Sequence, residues 1–132
     1  MPSSEGSIEN LGKTISIIEK WNLLDQKDFV GCIGSATIFA ASARIHENGD
    51  REKASSAKGE VQKYHTVAVR IASQYGVSED TVYQIFMEND IDPYIGTLMV
   101  PEEGTAVRKV SMEKQSVINA VRQALEQKIR SI

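Results

Sequence analysis

The sequence predicts a mainly α fold, about five helices around a central apolar helix, with one small β-hairpin near residues 94–110. Three observations predict it. Apolar residues recur at three- and four-residue steps through most of the chain. The stretch from Phe29 to Ala43 is apolar on nearly every side, as suits a helix covered all round. Between Tyr94 and Val110 the pattern turns to short β-prone runs separated by Pro and Gly. At 132 residues, with 41% hydrophobic and 25% charged, one domain over residues 1–132 is expected.

The elements follow in order. Residues 1–6 are polar and expected to fray. Ser7 can cap a first helix over Ile8–Asn22, with Leu11, Ile15 and Ile18 on one face and Trp21 at the core edge. Asp25 is expected to open the second helix, running to His46, with Phe29, Cys32, Ile33, Ala36, Phe39, Ala40 and Ala43 inward. Gly31 and Gly34 are small enough to let a neighbouring helix approach closely. Residues 47–57, charged and containing Asn-Gly-Asp, read as an exposed loop. A third helix is expected over Lys58–Tyr75, ended by Gly76, and a fourth over Glu79–Asn89, capped by Ser78. Two strands, Tyr94–Val100 and Thr105–Val110, would flank a Pro101–Gly104 turn. Ser111 would cap a final helix carrying Ile118, Val121, Leu125 and Ile132.

The stretch Ala68–Met87 carries the strongest motif. Ala72 is small where a second helix would cross, Gly76 tolerates positive φ at the turn, and Val77, Val82 and Ile85 are apolar where the inner face needs them. With Ser78 and Thr81 the pattern resembles the helix-turn-helix family of DNA-binding proteins over about twenty residues. The hairpin expected after it extends the resemblance to the winged-helix arrangement. The resemblance implies a helix-turn-helix corner whose second helix turns Ser78, Glu79, Asp80, Tyr83, Gln84 and Met87 toward the major groove, with Gln84 pairing to adenine. The charge departs from that pattern. From Ile71 to Val107 there is no Lys or Arg, against seven Asp or Glu. Glu79 and Asp80 stand where phosphates would repel them.

Phosphate contacts would therefore fall to flanking cations: Lys58, Lys63, Arg70, Arg108 and Lys109. No cofactor and no metal set is expected, since His46 and His65 lie on different segments and Cys32 is the lone cysteine. That single thiol makes a reducing, cytoplasmic setting the default. No membrane partner is expected either, because the longest apolar run falls short of the roughly 20 residues a span needs. Two functional readings result. The first is a small non-enzymatic nucleic-acid-associated protein, a regulator or a subunit of a nucleoprotein complex, for which a homodimer is one assembly. The second is a helical protein–protein adaptor or assembly subunit whose acidic surface over residues 79–103, led by Glu79 and Asp80, binds a protein partner.

Overall fold

The computed structural model describes residues 4–100 and 105–131. Five helices and two short strands follow in the order α1 (Ser4–Ile18), α2 (Leu23–His46), α3 (Arg51–Ser73), α4 (Glu79–Glu88), β1 (Ile91–Asp92), β2 (Thr97–Leu98) and α5 (Thr105–Arg130). The fold is mainly helical, with one small antiparallel hairpin that pairs Ile91 with Leu98 and Asp92 with Thr97.

The centre is α2, as its all-round apolar surface requires. Phe29, Val30, Ile33, Ala36, Ala40 and Ala43 are fully buried along it. It packs against α3 on one flank and α5 on another, and the hairpin rests on it. Its length and composition would let it cross a membrane, yet half of its most apolar window is buried inside the protein. Its small residues act as predicted: a Cβ at Gly34 would approach Ile118 of α5 to 3.0 Å. The helix starts two residues before Asp25, because Asn22 caps it by accepting a hydrogen bond from the Leu24 amide at 2.9 Å.

Three expectations are corrected. Residues 47–57 are a loop only as far as Asp50, which caps α3 by accepting from the Lys53 amide at 3.1 Å. Ala54, Ala57 and Val61 line the inner face of that first stretch. An alanine stripe in a charged segment carries little hydrophobic signal, so the sequence reads as loop while the backbone is helix. The hairpin lies at 91–98, earlier than expected. Thr105–Val110 is the start of α5, and Val107, Val110, Ser111, Lys114, Ile118 and Leu125 sit at helical spacing on its buried side. Ser111 is consequently a buried mid-helix residue that accepts a hydrogen bond from Gln115, not a cap. The expected Pro101–Gly104 turn and Ile132 lie outside the described residues. So do Met1–Ser3, while α1 already begins at Ser4, within the segment expected to fray.

A polar knot ties the periphery together. Lys114 on α5 is 4% exposed, and its Nζ lies 2.7 Å from the Asp90 carboxylate at the α4–β1 junction. Asp90 holds a φ of +64°, a conformation rare for a side-chain-bearing residue, as it turns the chain out of α4. Next to it, the buried Asn89 amide donates to Thr14 of α1 at 3.3 Å and to the Ile85 carbonyl at 2.8 Å.

Candidate functional site

The α3–α4 corner is built by two cap structures. Gly76, at φ +74°, ends α3: its amide donates to the Ser73 carbonyl, and the Val77 amide donates back to Ala72 at 3.2 Å. This paired closure is the Schellman arrangement that a left-handed glycine permits. Ser78 then opens α4, its hydroxyl accepting from the Thr81 amide at 3.2 Å. Val82, Ile85 and Phe86 anchor α4 to the core. The two caps thus join α3 to α4 through a short turn between Ser73 and Glu79.

The outer face of α4 is acidic. Glu79, Asp80, Gln84 and Glu88 are exposed, three carboxylates and one amide along barely three turns. Glu79 and Asp80 lie in the first turn, where the positive end of the helix dipole favours them. Two of the other residues expected to face outward are engaged within the fold. Ser78 is the cap, and the Tyr83 ring stacks on Tyr94 of the hairpin turn with centroids 4.8 Å apart.

The hairpin turn presses against α3. Asp92 shapes it by accepting hydrogen bonds from the Tyr94 and Ile95 amides at 3.0 and 3.1 Å. Gly96, at φ +85°, lies so close to α3 that a Cβ there would sit 2.8 Å from the Lys58 Cα. Gln62 of α3 donates to the Tyr94 carbonyl at 2.9 Å. Beneath the turn lies His65, 5% exposed, with its ring edge-on to Phe86 at 5.0 Å and to Tyr94 at 5.9 Å. Its Nε2 has no hydrogen-bond partner. Burial holds its pKa below the ordinary histidine value, against the opposing pull of the Glu79 charge.

The far end of the corner is tied to the α1–α2 junction. The Tyr75 ring stacks on Trp21 at 4.6 Å and nearly parallel, and its hydroxyl donates to the Asp25 carboxylate. That hydrogen bond raises the phenol pKa above its ordinary value, with burial adding to it. Neither Trp21 nor Tyr75 carries a sequence signal for this pairing, because residues more than fifty apart meet only through the α2–α3 hairpin.

The candidate phosphate-binding cations fall into separate groups. Lys58 is half-buried under Gly96. Lys63 is exposed, 3.7 Å from Glu60 and above the Tyr64 ring. Arg70 is exposed in the last turn of α3, near the Asp25 end of α2. Arg108 and Lys109 lie early in α5, where Arg108 lines a groove with Ile45 and His46 at the other end of α2. At about 1.5 Å per residue along α2, Arg70 and Arg108 stand on the order of 25 Å apart. They do not form one stripe around Gln84.

Cys32 is buried, and burial raises its thiol pKa to about 11, with Asp28 adding and Arg122 opposing. It is a core side chain held as the neutral thiol. Among the described residues no three His, Cys, Asp or Glu side chains converge as a metal site would require. Comparison with protein-family models, with curated proteins and with solved structures finds no match for this chain.

Proposed function

We propose that this protein is a helical adaptor whose acidic α4 face receives a basic segment of a protein partner. The observation that carries this reading is the composition of that face. Glu79, Asp80 and Glu88 are exposed around Gln84, while Ser78 and Tyr83, two polar groups a groove reader would use, are spent on a cap and a ring stack. A face of one charge sign steers an oppositely charged partner and repels a nucleic-acid backbone. The core anchors of α4 hold the carboxylates on a rigid element, so little ordering cost attends their use.

A second reading keeps a nucleic-acid role on α3 instead of α4. Lys63, Thr66 and Arg70 are exposed along one side of that helix and could follow a phosphate backbone. In that reading the helix-turn-helix-like corner supplies shape and α3 supplies charge.

Fluorescence anisotropy with three labelled probes separates the two: an Arg-rich helical peptide, a DNA duplex and a single-stranded RNA. The adaptor reading expects the peptide to bind and the Glu79→Lys, Asp80→Lys double variant to lose it. Duplex or RNA binding that falls steeply with salt and disappears in Arg70→Ala would replace it with the nucleic-acid reading.

A further inference from the structure

The outer side of α5 is poor in exposed charge over most of its length. Between Lys109 and Lys128 its exposed residues are Met112, Ser116, Asn119, Ala120, Gln123, Ala124 and Gln127, none of them charged. Of the charged residues within that span, Lys114 is buried on Asp90 and Arg122 lies against Gly31, while Glu113 and Glu126 are half-buried and Glu126 pairs with Arg130. In a chain that is 25% charged, a helix face of this length without an exposed charge is the depletion found at interface cores.

A groove runs beside this face. Its deeper part, about 260 Å³, lies between α5 and the C-terminal half of α2, floored by Ala41 and Ile45. Ile38 and Met112 form its lips, 48% and 70% exposed, large apolar side chains that the fold leaves in water. Arg108 and His46 close one end. A shallower continuation of about 550 Å³ follows α5 past Ser116 and Asn119 to Gln123. From Arg108 to Gln123 the groove spans about 22 Å at helical rise, the length of about four turns of a second helix.

We infer that the α2–α5 groove docks an amphipathic helix of another protein, one that carries carboxylates at its ends. The apolar stripe of that helix would seat on Ile38, Ile45 and Met112, in the manner of helix-in-groove recognition. The requirement for acidic ends comes from charge. Arg108 and Lys109 flank one end of the uncharged face, and Lys128 flanks the other. A second copy of this chain is the poorer fit. Laying α5 on α5, parallel or antiparallel, brings these cations against cations at both ends. A nucleic acid is poorer still, since the groove floor is apolar. This site is separate from the α4 face, so its success or failure leaves the adaptor reading of that face to its own variants.

The test uses the whole chain and two synthetic sixteen-residue amphipathic helices with the same Leu stripe, one ended by Glu and one by Lys. Binding is read by anisotropy and by methyl NMR of Ile38 and Met112. The Glu-ended peptide is expected to bind about ten-fold tighter than the Lys-ended one and to shift both methyl signals. Arg108→Glu should erase that preference, and Met112→Glu should abolish binding while leaving the thermal midpoint unchanged, since Met112 is exposed. Equal binding of the two peptides overturns the inference. So do shifts confined to α4, or a sedimentation profile in which Ile38 and Met112 are already covered by self-association.

Discussion

Replacing Gly96 by Ala tests how tightly the hairpin turn is seated on α3. At φ +85° any Cβ is in the left-handed region, costing about 1–2 kcal/mol. The new Cβ would also lie 2.8 Å from the Cα and Cβ of Lys58. A helix backbone cannot yield as a flexible side-chain tip can, so the turn must lift, an overpacking cost of about 1–3 kcal/mol. Ala also lowers the conformational entropy of the unfolded chain, which stabilises the fold by about 0.4–1 kcal/mol and offsets part of the penalty. The expected net destabilisation is about 2–4 kcal/mol. Gly76 is the internal control. Its φ is similar, +74°, but a Cβ there meets nothing within 4 Å. Gly76→Ala should therefore cost only about 1 kcal/mol. Urea denaturation followed by circular dichroism gives both values on one scale, provided the slope is unchanged. Ring signals of Tyr94 and His65 should move in Gly96→Ala and stay put in Gly76→Ala. Equal costs for the two substitutions would refute the contact with Lys58, because backbone conformation alone would then account for both.

Lys114→Met keeps the aliphatic stem and removes the ion pair with Asp90. Because Asp90 is a third exposed, its stranded charge is partly solvated, and a loss of about 1–2 kcal/mol in urea is expected. Asp90→Gly relieves the positive φ but leaves the buried Lys114 ammonium without its partner, so it should cost more than Lys114→Met. His65 gives a pH dependence with a definite sign. Its folded pKa lies below the unfolded value of about 6.5, so the unfolded chain binds the proton first. The stability it contributes is complete above that pH and is lost as pH falls from there toward the folded pKa. The thermal midpoint should thus drop between pH 7.5 and 5.5 more in the wild type than in His65→Phe. Parallel curves would show that His65 is not the titrating group. Among the four tyrosines, Tyr75 should ionise late in an ultraviolet alkaline titration, and Tyr75→Phe should remove that late step.

The acidic surface and the α5 groove are linked by how charge is distributed over the fold. The protein is only slightly acidic in total, at −3. Its acidic face gathers on α4, while the cations that would balance it stand on α3 and at the two ends of α5. One acidic helix face and one uncharged groove flanked by cations are dissimilar surfaces, which in the proposed adaptor role would offer two different docking chemistries. Such an arrangement allows two partners to be told apart without a shared contact.

Much of the fold was legible because local periodicity suffices for it. The apolar density of Phe29–Ala43 fixes α2 as the centre. The Ala72, Gly76, Val77 and Ser78 sequence fixes the corner, since each acts through neighbours within five residues. The small residues at Gly31 and Gly34 signal close helix packing, without naming Ile118 and Arg122 as what would meet them. Helix starts were less legible. Ala54 and Ala57 carry too little hydrophobicity to announce the inner face of α3, and Val107 and Val110 fit a strand's alternation as well as a helix's period.

What the sequence by itself determined is the helical class, the central helix, the cap-and-glycine corner and the sign of the charge on α4. Each depends on residues that are near neighbours in the chain. What only the tertiary structure decided is which side chains are left for a partner. Tyr83 is withdrawn by Tyr94, Lys58 by Gly96 and Lys114 by Asp90, each through a contact made when distant segments pack. The same packing lays α5 along α2 and leaves Ile38 and Met112 in water beside an uncharged helix face. Burial and surface charge are properties of the assembled helices, and no local spacing encodes them.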